Sequence, residues 1–221
     1  MSDVDLVLSR RLPWALLVLA LLLPTLLVFR DWARPRAATD AGARADELGD
    51  FGVVPDFSLT ERSGRELKRA DLAGAPWIAD FVYTSCAGAC PLLSGDMARL
   101  QRRVGDRVRL VSFTVDPARD SPQALAAYAD RFAASPTSWL FATGPVGTMR
   151  QLISQGFHLA VVDPPAGDPE LAGAITHSEK VVLVDAALRI RRYYDADGRE
   201  WLDRAVADLA KLGTGPPQAP R

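Results

Sequence analysis

The chain has 221 residues, 48% of them hydrophobic, enough for one domain of ordinary size with a real core and flanking segments. Its 26 basic residues are balanced by 27 acidic ones, a formal net charge of -1. That balance leaves no broad basic surface to follow a phosphate backbone and excludes nucleic acid as the expected partner.

After a short N-terminal tail, residues 1–11, the run Leu12 to Phe29 carries no charge over 18 residues and is flanked by Arg10 and Arg11 before it and Arg30, Arg34 and Arg36 after it. This length suits a single bilayer span. Pro13 and Pro24, with apolar residues around the whole circumference, suit lipid better than one core-facing stripe. A cleaved signal peptide is the rival reading, but the nearest A-x-A, Ala43 to Ala45, lies well past the run. Arginines on both sides leave the orientation undecided by charge. With so short a tail, the expectation is a single-pass anchor with the large domain exported to the extracytoplasmic side, periplasmic in a bacterium, where thiols meet an oxidising compartment.

Residues 30–49 are small and charged without apolar period and read as a tether. The domain is expected over residues 50–213, with its structure beginning near Val53. "DFSLT" and "RELKR" around Ser63-Gly64 predict a hairpin, "RADLAG" a short turn of helix, and "WIADFVYT" a buried strand. "CPLLSGDMARLQRRV" places Leu92, Leu93, Met97, Leu100 and Val104 at helical spacing, with Pro91 in a first turn. "RVRLVSFTV" predicts a strand, "SPQALAAYADRFA" a helix capped by Ser121, "SWLFAT" a strand and "VGTMRQLISQ" a helix. "FHLAVV" alternates like a strand, and "DPPAGDPELAG" is a loop. "KVVLVD" and "LRIRRYY" predict a hairpin across Ala186-Ala187, "REWLDRAVADLAKLG" a closing amphipathic helix, and residues 214–221 a disordered tail. Strands alternating with helices, then a hairpin and a helix, predict an α/β domain with a mixed central sheet.

Both cysteines lie in "FVYTSCAGACPLL". Cys86 follows the buried strand and Cys90 opens the helix, whose N-terminal partial positive charge favours thiolate. If the helical turn reaches back to Cys86, the i, i+4 spacing puts both sulfurs on one face, suited to a disulfide or a shared metal. As a staple the pair closes too small a loop to stabilise much. Two thiolates form a soft site suited to Cu(I), Zn(II) or iron-sulfur species, and a metal would call for a third ligand. The chain has two histidines. His177, at the end of the Pro/Gly loop before a strand, can aim an imidazole over the sheet. His158, inside an alternating segment, reads more plainly as a half-buried or surface residue. Met97 shares a helical face with Cys90 and reads as core packing.

Three signatures in order resemble the Sco/SenC family over the span Val53 to Leu212: "FVYTSCAGACP" is similar to its C-x3-C-P, "VDPARDSPQALAAYA" to its D-P-x-R-D-[ST]-P block, and "HSEKVVLVD" to its histidine before a strand. "SWLFATG" also resembles a Trp-containing segment of that family. The resemblance implies a thioredoxin-like fold behind a membrane anchor, and a copper chaperone for cytochrome c oxidase assembly. By position it places copper ligands on Cys86, Cys90 and His177, and a residue that orients or tunes the site on Asp116. A turn-forming Asp before Pro117 is the plainer reading of Asp116, and Arg119 and Asp120 are expected to pin that turn. Ala87 departs from the family, many of whose members have Pro after the first cysteine, so the motif loop is looser. Two thiolates and one imidazole suit Cu(I), and with an added oxygen ligand also Cu(II). The implied acceptor is the oxidase subunit holding the dinuclear copper centre, with another copper donor or a thiol reductant as further partners.

The same thiols equally suit a thiol-disulfide oxidoreductase that keeps the acceptor's cysteines reduced, with Cys86 and Cys90 as the redox-active pair and a disulfide as its oxidised form. His177 separates the two readings, since a dithiol reductase has no need of it. A peroxidase resembling P-x3-T-x2-C is excluded by Ala79 and Tyr83 at the two leading positions. Zinc hydrolysis lacks a clear general base. The loop within residues 163–176 reads equally as a partner-recognition element or a connector.

Overall fold

The computed structural model describes residues 47–86, 88–162, 179–213 and the backbone of residues 176 and 177. The expected anchor at 12–29, most of the tether at 30–49, Ala87, the loop residues 163–175 and the tail at 214–221 lie outside the described residues. Among the described residues, no helix is long and apolar enough to cross a membrane.

The first hairpin forms as expected, from β1 (Ser58–Glu61) and β2 (Glu66–Lys68), and Gly64 supplies the positive φ of 85° its turn requires. The short turn that follows is a 3-10 helix, Arg69–Leu72. β3 (Trp77–Val82) is buried at all six positions, as a central strand covered on both faces must be. α1 (Ala89–Val104) is closed by Gly105, at φ 60°, whose amide donates to the Gln101 carbonyl. β4 (Arg109–Thr114) leads to α2 (Pro122–Asp130), capped by Ser121, whose hydroxyl accepts from the Ala124 amide while Pro122 takes the first helical position.

After β5 (Trp139–Thr143), α3 (Val146–Gln151) runs into a π-helical turn, Leu152–Gly156. The alternating "FHLAVV" does not continue as a strand. His158 is exposed with φ 54°, and only β6 (Val161–Val162) is extended and paired. The tertiary context overrides the alternation here: the chain leaves the π turn with the Leu159 amide bonded to the Ile153 carbonyl, and Phe157 drops into the aromatic core. β7 (Thr176–His177) pairs antiparallel with β6, His177 opposite Val161. β8 (Lys180–Val184) and β9 (Ile190–Asp195) form the second hairpin, its turn held by Asp185, which accepts from the Ala187 and Arg189 amides. α4 (Glu200–Lys211) closes the fold.

Seven strands form one sheet in the order β2-β1-β5-β4-β3-β8-β9. β3, β4 and β5 run parallel, while the β1–β5 and β3–β8 pairings are antiparallel, giving the mixed sheet expected. Alternation along β3, β4, β5 and β8 divides the core in two. On one face Ile78, Leu110, Phe141 and Leu183 pack with Met97 and Leu100 of α1, Leu125 of α2 and Trp201 of α4. On the other, Trp77, Phe81, Phe113 and Phe157 form an aromatic cluster beside Leu152 and Ile153. Met97 is wholly buried in the helical-face core, so its packing role stands.

The topology gathers the three signatures at one end of the sheet. β3 and β4 are parallel, so Cys86 after β3 and Asp116 after β4 both follow the carboxyl ends of neighbouring strands. β8 lies antiparallel on the other side of β3, so its beginning at Lys180 lies at that same end, and the chain carrying His177 enters there.

Candidate metal centre

Cys86 does not belong to the helix. α1 begins at Ala89, and Gly88 before it has φ -109° and ψ -106°, outside helical geometry. The two cysteines meet instead because a turn closes before the helix, the Cys86 amide donating to the Tyr83 carbonyl at 3.2 Å. The Cys90 amide then donates to the Cys86 sulfur at 3.5 Å, so an N-terminal amide of α1 points at that sulfur. Neither cysteine is in a disulfide.

The two sulfurs sit in unlike environments. Cys86 is partly exposed, whereas Cys90 is 1% exposed and packed in the aromatic-face core. Partial burial opposes ionisation of Cys86, but hydrogen bonds from the Cys90 thiol, the Cys90 and Gly88 amides and the Tyr83 side chain more than offset it, and its pKa falls below the ordinary thiol value. Burial pushes the Cys90 thiol well up, reinforced by its bond to Cys86 and by the negative charges of Cys86 and Asp80. The arrangement is a ready nucleophile or soft ligand at the surface, with a second sulfur protected behind it.

Asp116 is 5% exposed and its carboxylate pairs with Arg119 at 2.6 Å. The turn is closed by the Arg119 and Asp120 amides, which donate to the Asp116 carbonyl at 3.1 and 2.9 Å, so all three residues do pin it. Asp120 does more than that, because its buried carboxylate also accepts from Thr84, two residues before Cys86. For His177 the structure gives the backbone position on β7, opposite Val161 in a separate two-stranded sheet with β6, three residues before β8 begins at the sheet end that carries the cysteines. His158 instead borders a separate surface cavity of about 370 Å³ with Val53, Phe57, Thr148 and Gln155. Among the described residues, no three His, Cys, Asp or Glu side chains are grouped to hold a metal ion.

Asp80 has no counterpart in the sequence reading. It is fully buried on β3, accepts a hydrogen bond from the Ser112 hydroxyl at 2.5 Å, and has a second carboxyl oxygen without a partner. Burial, only partly offset by the Ser112 bond, raises its pKa to about 7. The available signal was an acidic residue inside an otherwise apolar central strand.

Known proteins share this fold. The sequence model of the SCO1/SenC family matches residues 45–212. An SCO1 protein homolog of Bacillus subtilis is 26% identical over 164 residues, covering 73% of this chain and 83% of that protein. The structure of BsSco, described as a Sco-family cytochrome c oxidase assembly protein with a disulfide switch, is 26% identical with a TM-score of 0.64, covering 74% of this chain and 95% of that one. Bradyrhizobium japonicum ScoI, solved with copper bound, has the same fold at 22% identity and a TM-score of 0.62, covering 73% of this chain and 99% of that one. With the family match running from the first hairpin through the closing helix, and the paired cysteines at the carboxyl end of β3, this chain belongs to the SCO1/SenC family.

Proposed function

We propose that the chain is a membrane-anchored copper metallochaperone that takes up copper through Cys86, Cys90 and His177 and delivers it to the dinuclear copper centre of cytochrome c oxidase. The observation that carries this reading is the pair of adjacent, reduced thiols at the sheet end where β8, just after His177, begins. Copper is cargo here, and the donors fit it. Two sulfurs, one of them with its pKa lowered by hydrogen bonds, make a soft site that an imidazole completes for Cu(I) and, with an oxygen ligand, for Cu(II). Copper bound to a family member of the same fold supports the reading. A partly exposed Cys86 leaves the site open to ligand exchange with an acceptor. Oxidation of the pair to a disulfide removes both sulfur donors, so cargo and thiol state are coupled.

In this reading residues 12–29 anchor the chain, residues 30–49 tether it and residues 50–213 work on the extracytoplasmic side. Asp116, tied to Arg119, orients or tunes the site. Copper stoichiometry and X-ray absorption on the reduced full chain test the proposal. Two sulfurs and one nitrogen per copper, with the nitrogen lost in His177→Ala, support it. No tight copper, or binding indifferent to His177, overturns it.

The unlike environments of the thiols favour a second reading, a thiol-disulfide oxidoreductase. The Cys86 thiolate attacks one sulfur of a partner disulfide and releases the partner's first thiol. Cys90 then attacks Cys86 of the mixed disulfide and releases the second. The partner gains two electrons and the Cys86–Cys90 pair loses them. His177→Ala leaves this exchange intact, which separates the two readings.

A further inference from the structure

The carboxylate of Asp120 binds two motifs that lie far apart in sequence. It is fully buried and accepts from the Thr84 amide at 3.1 Å, from the Thr84 hydroxyl at 2.6 Å and from the Thr114 hydroxyl. The Thr114 hydroxyl in turn accepts from the Asp116 amide at 2.9 Å. Thr114 is the last residue of β4 and lies opposite Val82, the last residue of β3. Asp120 therefore straddles the carboxyl ends of two parallel strands, just where one continues into the cysteine turn and the other into the Asp116 turn.

A residue needed only to shape its own turn has no use for Thr84. The backbone bonds of the Asp116 turn already close it. The cysteine turn closes locally too, through the Cys86 amide and the Tyr83 carbonyl, and Thr84 docks it on the neighbouring block through both an amide and a hydroxyl. A carboxylate can accept all of these bonds at once, whereas the NH2 of an asparagine meets an amide that can only donate. We infer that Asp120 is a positioning residue for the thiol site, fixing the Cys86 turn against the Asp116 turn and thereby setting the geometry in which Cys86 and Cys90 work. The copper consequence rests on the proposed function; the thiol consequence does not.

The test uses the full chain carrying Asp120→Asn, Thr84→Val, both together, or Thr84→Ser. Three quantities are read: Cu(I) affinity by competition with a chromophoric chelator, the reduction potential of the metal-free Cys86–Cys90 pair in glutathione buffers, and melting temperature. Partners that orient ligands from behind are typically worth about 10- to 100-fold in metal affinity. Asp120→Asn and Thr84→Val are each expected to weaken Cu(I) binding by about tenfold or more on that scale and to shift the potential. Thr84→Ser, which keeps the hydroxyl, matches the unaltered chain, and the double variant is no worse than Asp120→Asn alone. Melting temperatures that fall while copper affinity and potential stay unchanged overturn the inference and leave Asp120 a purely structural residue. If Asp120→Asn does not fold, Thr84→Val, which retains the amide bond, decides the question. If the unaltered chain takes up no Cu(I), the copper proposal fails, and the potentials alone decide the role of Asp120.

Discussion

Asp80→Asn isolates the energetic cost of the one carboxyl buried in the central strand. Asp80 is 0% exposed, and its pKa rises from 3.8 to about 7, chiefly through burial. The folded chain holds the proton up to about pH 7, whereas the unfolded chain releases it near pH 4. Between those values the folded state binds one more proton than the unfolded state, so stability falls as pH rises. The contribution is fully present below the unfolded pKa and is lost as pH passes through the folded one. At 1.36 kcal/mol per pKa unit, the loss across the window is about 4 kcal/mol. Asparagine keeps an acceptor for the Ser112 hydroxyl and never ionises. The variant is therefore expected to show a flatter stability profile than the native chain between pH 4 and pH 7, and to be the more stable of the two at pH 8. Chemical unfolding of the reduced, metal-free full chain at several pH values measures the difference, and groups that titrate alike in both proteins cancel. Parallel profiles for the two chains, or a variant that is less stable at pH 8, would refute the reasoning.

Other expectations follow from single residues. Phe113 stacks on Phe81 at 5.9 Å between ring centres and meets Phe57, Trp77 and Phe157, so Phe113→Ala should cost about 3–5 kcal/mol in urea unfolding. Ser121→Ala removes the acceptor for the Ala124 amide and should cost about 1 kcal/mol by the same assay. In the reduced, metal-free chain, iodoacetamide should modify Cys86 far faster than Cys90, with a rate that rises at a pH below that for an ordinary thiol. Equal rates by peptide mapping would contradict the unlike environments of the two sulfurs.

Local rules made most of the fold legible. Ser121-Pro122 announced the start of α2, Ser63-Gly64 the first turn, and the apolar run at Trp77 the central strand. These signals need only neighbouring residues to be read. The segment around His158 misled because its alternation imitates a strand, while the preceding π turn and the burial of Phe157 dictate the path. At the site, the two cysteines stood out by spacing, with Cys86 after the strand and Cys90 in the first turn of the helix as expected, but the condition for a shared helical face is not met, since the helix starts after Cys86. The reach of Asp120 to Thr84 was invisible, because it depends on strands β3 and β4 lying side by side. Asp80 could have been marked as odd, yet only its burial and its bond from Ser112, whose hydroxyl in turn accepts from the Trp139 indole, give it meaning.

The antiparallel placement of β8 beside β3 also bears on when the protein becomes competent. Cys86 and Cys90 come from the first half of the chain, whereas His177 lies just before β8, whose start reaches the cysteine end of the sheet only once β8 has paired with β3. Such a long-range pairing forms late, because loop closure must precede any reward from contact. On the proposed ligand set, a half-folded chain offers cargo two sulfurs and nothing more, and only the finished sheet supplies the third donor. If copper binds through that set, its retention would report that β8 has paired with β3.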